Sequence, residues 1–208
     1  MRGWFITFEG AEGAGKSTQI ELLAGSLQKR GLDVRTSREP GGTAAGLRIR
    51  ELLLDPDARL VPRSELLLYA ADRAQHVDEI VRPALAAGSV LLCDRHADSL
   101  VAYQACGRGM DVQLVEDLNR IATGGLVPDL TLLLDLEPEV GLARAARRST
   151  ADRLEREDLA FHRRVREGFL AIARARPERV HVVRADADVE TVHRQVLGAV
   201  ATRLDIST

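Results

Sequence analysis

Residues 8–18 read FEGAEGAGKST. Within them, Gly10 to Ser17 match the spacing G-x-x-x-x-G-K-[ST], and the flanks decide what that spacing means. An apolar β-type run, WFITF (4–8), comes before it. A helical stretch from about 16 to 30, ended by Gly31, comes after. Between a strand and a helix, successive backbone N–H groups and the helix N-terminus converge on an anion. The glycines permit close approach of a phosphate, Lys16 reaches the β- and γ-phosphates, and Ser17 offers a hydroxyl to Mg²⁺. Gly10, Ala11, Glu12, Gly13, Ala14, Gly15, Lys16, Ser17 and Thr18 therefore form a candidate nucleotide-phosphate cradle. Glu12 is the anomaly, a carboxylate in the middle of an anion site.

Working outward, short β-type runs alternate with longer helical ones. DVRTS (33–37), SVLLCD (89–94), LTLLLD (130–135) and RVHVVRA (179–185) join WFITF as expected strands. Several are apolar without alternation, as in strands buried on both faces of a parallel sheet. Helices are expected from the turn EPGGT to about Leu54, then over 63–87 with a break or kink at Pro83. Others are expected near 97–106, 111–123, 138–147, 155–176 and 189–204. The pattern predicts an α/β fold, a doubly wound five-stranded parallel sheet of the P-loop NTPase type flanked by helices. The segment 144–158, RAARRSTADRLERED, is poor in large apolar residues and reads as an exposed, mobile excursion, not a linker, because a strand and a helix still follow.

Composition narrows the class. A chain of 208 residues reads as one domain, 1–208. With 29 basic and 31 acidic residues its formal charge is -2, which leaves no electrostatic footprint for nucleic acid. No apolar stretch reaches membrane length, so no membrane partner is expected. Cys93 and Cys106 have neither metal-ligand spacing nor a framework to form, which suits a reduced, cytoplasmic protein. Only Lys16 and Lys29 among the basic residues are lysines, so lysine at position 16 stands out from an arginine-rich background.

A P-loop specifies a nucleotide and not a reaction, so switches, motors and small-molecule kinases all remain open. VLLCDRH (90–96) adds a strand ending in Asp94, a carboxylate able to hold Mg²⁺ opposite Ser17. Asp135 competes for that role, and Asp94 is favoured because Arg95 follows it at once. The P-loop, the turn SREPGGT (37–43) and Asp94-Arg95-His96 each follow a strand, so a parallel sheet gathers them at one crevice. Arg95 can clamp a second phosphate there. That is the layout of a phosphoryl transferase with two phosphorylated ligands.

Together with LLLYAADR, DRHADSLVAYQ and the GRG after it, PDLTLLLD, and a lid followed by DRLERE, these motifs make the chain resemble the bacterial thymidylate kinases. The likeness runs nearly end to end, and is to the kind with basic residues in the lid rather than in the P-loop. It implies ATP as phosphoryl donor, Mg²⁺ as cofactor, dTMP as acceptor and a homodimer. By position, the resemblance assigns Arg95 to the acceptor 5′-phosphate, Tyr69 to stacking on thymine and Arg73 to the base. Tyr69 and Arg73 lie one helical turn apart and share a face. Tyr103, with Ser99 four residues before it, is placed against the sugar, selecting deoxyribose, and Gln104 is a weaker base contact. Leu100 departs from relatives that carry a smaller or polar residue near the base edge. The resemblance also suggests a cis Glu39–Pro40 bond.

Phosphoryl transfer needs positive charge around the moving group, and this P-loop has no arginine at its variable positions. Arg148 and Arg153 are the expected inward pair of the lid, with Arg144 and Arg147 outside it. Glu12 should point away from ATP, either to the 3′-hydroxyl of dTMP, as the resemblance implies, or to Mg²⁺ through water. His96 is given no chemical role, because a phosphate oxyanion needs no base. The alternatives are another nucleoside monophosphate kinase of this fold, and a nucleotide-binding regulator with no transferase activity.

Overall fold

The computed structural model describes residues 2–147 and 152–205. Five strands form one sheet: β1 (Trp4–Glu9), β2 (Val34–Arg38), β3 (Val90–Asp94), β4 (Leu130–Asp135) and β5 (Val180–Arg184). Their order is β2-β3-β1-β4-β5 and every pairing is parallel. The expected strands agree with these to within a residue at each end. The apolar runs of β1, β3 and β4 lie inside the sheet and are buried almost throughout, while the polar VRTSR of β2 lies at an edge.

Around the sheet lie α1 (Lys16–Gln28), α2 (Ala44–Leu54), α3 (Pro62–His76), α4 (Arg82–Ala86), α5 (Ala97–Leu100), α6 (Val112–Thr123), α7 (Pro138–Ala146), α8 (Leu159–Ala175) and α9 (Val189–Leu204). On one face, Ile6, Phe8, Leu92, Leu132 and Leu134 pack against Leu23 and Leu27 of α1 and Val196 of α9. On the other, Phe5, Leu91 and Cys93 meet Val77 and Val81. Leu133 joins Tyr103, Phe161, Val165 and Phe169 there. Alternate residues of each central strand thus feed opposite cores.

Three helix expectations are corrected. The helix over 63–87 does not break at Pro83. It widens into a π-helical turn at Val77–Val81 and runs on as α4, with Pro83 in its first turn. Arg82 N donates to the Val77 carbonyl, and Pro83 has no N–H to continue that series, so the widened turn falls where the ladder loses a donor. The stretch 97–106 is α-helical only over α5, then π-helical over Val101–Gly107. The helix expected from 155 starts at Leu159, because Asp158 Oδ1 accepts from Phe161 N at 2.6 Å and caps it.

Register sets the site. Phe8 pairs with Asp94, and Asp94 with Arg38, so the loops leaving β1, β2 and β3 emerge side by side. The chain leaves β1 toward one edge of the sheet and β3 toward the other. That opens a crevice above their carboxyl ends.

Candidate active site

The P-loop fills the floor of this crevice. Gly10, Gly13 and Gly15 have φ of 131°, 70° and 91°. A Cβ on Gly13 would stand 2.0 Å from the Gly141 carbonyl, so the loop packs directly on α7. Lys16 opens α1, is buried, and its Nζ donates to the carbonyls of Gly10 and Ala11, each at 3.0 Å. Burial and then the Arg95 charge push its pKa down to about 8, against Asp94, Glu12 and Glu9. Ser17 Oγ donates to Asp94 Oδ2 at 3.1 Å, joining the two expected metal residues. Asp135, the competing residue, is held by both Nε and Nη2 of Arg166 at 2.7 and 3.0 Å.

Arg95 has a left-handed backbone, φ 71°, which is costly without glycine and tends to mark functional positions. The turn sends its guanidinium back over the P-loop. Nη1 donates to the Gly10 carbonyl at 3.1 Å and to Ser99 Oγ at 3.2 Å, while Nη2 donates to Glu12 Oε1 at 3.0 Å. Its Cζ lies 5.0 Å from the centre of the Tyr103 ring. Burial alone would lower its pKa, but Tyr103, Glu12, Asp94 and Glu9 outweigh that and keep it charged.

Glu12 turns into the crevice. Its Oε1 also accepts from the Tyr103 hydroxyl at 2.5 Å. Burial would raise its pKa, yet His162, Arg95, Lys16 and Tyr103 hold it far below the usual carboxylate range. The carboxylate thus sits between the P-loop and the Arg95 and Tyr103 side chains.

Behind this layer sits a buried polar cluster. Glu39 accepts from Arg73 Nε at 2.8 Å and hydrogen-bonds His76 Nδ1 at 2.7 Å and His96 Nδ1 at 2.9 Å. Burial opposes its ionisation, but Arg73 and the two histidines hold it well below the carboxylate range. His96 therefore faces Glu39. The Glu39–Pro40 peptide is cis. Arg73 also donates to Asn119 Oδ1 and to the His96 carbonyl, each at 2.9 Å, so three of its nitrogens already have partners. It still lines the cleft with Tyr69, Ser99, Leu100, Tyr103 and Gln104. Gln104 Nε2 donates to Glu65, and its Oε1 is buried with no partner among the described residues. The whole cleft encloses about 290 Å³.

In the lid segment, Arg148 lies outside the described residues. Arg153 does not spend its donors on the P-loop: Nε donates to the Leu53 carbonyl at 3.0 Å and Nη1 pairs with Glu65. Arg144 donates to the Ala185 carbonyl, and Arg147 is exposed at the end of α7.

Four residues of the site escaped the sequence reading. Arg38 and Arg50 line the cleft, and Arg50 Nη1 donates to the Pro40 carbonyl at 2.9 Å. Glu9 ends β1 and accepts from His96 N at 2.8 Å and from the Ser99 hydroxyl at 2.5 Å. Its pKa is pushed up to about 7 by burial and then by Asp98. The signal for Glu9 and Arg38 was their place at the last position of a strand feeding the crevice. His162 gave no signal, being a lone histidine on an amphipathic helix.

A phosphate cradle, a hydroxyl–carboxylate pair and an opposed arginine, gathered on a parallel sheet of this order, define a P-loop nucleotide kinase. The chain belongs to the thymidylate kinase family, whose model matches residues 8–196. It is 54% identical over 198 residues to a thymidylate kinase of Gloeobacter violaceus, covering 94% of this chain and 93% of that one. It is 51% identical over 202 residues to one of Deinococcus radiodurans, covering 97% and 98%. A crystal structure of thymidylate kinase from Ehrlichia chaffeensis superposes with a TM-score of 0.81 at 33% identity, over 96% of this chain and all of that one.

Proposed function

We propose that the chain transfers the γ-phosphoryl group of ATP to the 5′-phosphate of dTMP, forming dTDP and ADP. The observation that carries this is the contact of Glu12 with Arg95, which joins the phosphate cradle to the acceptor wall. An acceptor phosphate oxygen attacks the γ-phosphorus, and the bond to the β,γ-bridging oxygen breaks in line. No base is needed. Lys16 meets the charge on the β- and γ-phosphates, and Arg95 orients the acceptor phosphate. Ser17 and Asp94, two hard oxygen donors 3.1 Å apart, suit Mg²⁺. When bound there, the ion would neutralise phosphate charge.

Tyr69 and Leu100 supply an apolar wall for a base, and Gln104 Oε1, without a partner among the described residues, suits the N–H of a pyrimidine. Tyr103, pinned to Glu12, narrows the space beside the sugar. The lid over 144–158 brings Arg148 and Arg153 to the transferring group, with Arg153 first leaving Glu65. A homodimer is supported by exposed apolar side chains, Leu67 of α3 with Leu114 and Ile121 of α6, on two helices that touch. Among the described residues no helix is long and apolar enough to cross a membrane, and both thiols are free, which suits the cytoplasm.

The test is ADP release from ATP with dTMP, dUMP, dCMP, AMP or GMP as acceptor. The reading expects the highest kcat/KM with dTMP. A faster reaction with a different monophosphate, or ADP release that ignores the acceptor, overturns it.

A further inference from the structure

His162 lies in the first turn of α8, just past the Asp158 cap, and is 1% exposed. Its Nδ1 stands 3.6 Å from Glu12 Oε2, within ion-pair reach but longer than a hydrogen bond. Glu12 Oε2 is buried and makes no hydrogen bond among the described residues, nor does His162 Nε2. Buried polar atoms are rarely left so. A shift of about 0.7 Å would turn the contact into a hydrogen bond from Nδ1–H to the carboxylate. Glu12 Oε1, by contrast, already takes two donors, Arg95 and Tyr103.

Both sides of Glu12 are tied to α8. Phe161 and Phe169 stand edge-on to Tyr103, at 6.2 and 6.0 Å between ring centres. The approach is close: a Cβ on Gly107 would come 2.7 Å from Phe161, and one on Gly168 2.8 Å from Cys106. Helix α8 and the Tyr103 turn are therefore closely packed.

We propose that His162 is a positioning residue, which aims the Glu12 carboxylate at the sugar 3′-hydroxyl of the acceptor. The proposal rests on the dTMP kinase reading and on Glu12 meeting that hydroxyl. His162→Leu removes the donor at similar volume, and His162→Asn keeps an N–H near the place of Nδ1. With dTMP, His162→Leu should raise KM about tenfold with a smaller change in kcat, and His162→Asn should recover most of the loss. With 3′-deoxythymidine monophosphate the three proteins should agree within about twofold, as should KM for ATP. Equal losses on both acceptors, unchanged kinetics in His162→Leu, or His162→Asn no better than His162→Leu overturns the proposal.

A wild-type enzyme indifferent to the 3′-hydroxyl overturns the sugar contact and this proposal with it. One inactive on dTMP fails the functional reading at the outset. Should His162→Leu not fold, ¹⁵N spectra of ring-labelled wild type decide. The His162 Nδ1 resonance should move with dTMP and not with the 3′-deoxy analogue, and equal shifts refute the proposal.

Discussion

Lys16 is held at the floor of the cleft by two carbonyls and by the nearby acids, while burial and Arg95 work against its charge. Lys16→Ala should therefore cripple turnover while leaving the unfolding midpoint close to that of wild type, since the side chain lines the cleft and is no part of the apolar core. In the wild type, a pKa near 8 means the free enzyme loses this charge as pH rises through that value. A pH profile of kcat/KM for ATP should decline above about pH 8; a flat profile to pH 10 would show that the lysine charge does not limit ATP capture. Glu9 has the opposite displacement. Folded, it keeps its proton up to about pH 7, against an ordinary value of 4.5. Between those values the native state binds more protons than the unfolded one, so stability falls as pH rises through the window. Glu9→Gln removes that slope, and denaturant unfolding at pH 5 and pH 7.5 should show a smaller difference than wild type, by up to about 3 kcal/mol.

At the scale of elements, the strands and the P-loop helix were legible because their signals are local. Apolar runs mark β1, β3 and β4, and the glycine spacing at 10–15 marks the turn between β1 and α1. The π-helical turns at 77–81 and 101–107 were not, because one inserted residue leaves the surrounding helical periodicity almost intact. Nor could the sequence show that Arg166 occupies Asp135, or that Glu65 holds Arg153. Those pairs join residues 31 and 88 positions apart, which only the packing of α8 and of the lid segment on α3 brings together. The turn at 101–107 carries Tyr103 and Gln104, so its seating on α8 sets one wall of the cleft. Gly107→Ala would drive a methyl into Phe161 and Val165. The expected loss is about 1–3 kcal/mol in urea unfolding, with a raised KM for dTMP. Unchanged stability would mean that α8 yields at this point.

For the whole molecule, the arginines of the crevice fall in two places. Arg95 lies in the floor beside Glu12, whereas Arg153 is held by Leu53 and Glu65. Replacing Arg148 and Arg153 together by alanine should lower kcat about 10³-fold, with a much smaller effect on KM for dTMP. Full kcat in the double variant would leave the lid without a chemical part.

The contact of Glu12 with Arg95 also has a thermodynamic consequence. On the proposed roles, one backbone loop would reach the donor with its N–H groups and the acceptor with its carboxylate, and occupancy on one side would then alter the free energy of the other. Linkage makes that influence reciprocal. Whatever factor dTMP imposes on the dissociation constant of a non-hydrolysable ATP analogue, the analogue must impose on dTMP. Calorimetric titrations in both orders should return one factor, and Glu12→Gln should bring it toward unity. The loop that cradles the donor phosphates would then also be the place where the enzyme registers whether both substrates are present.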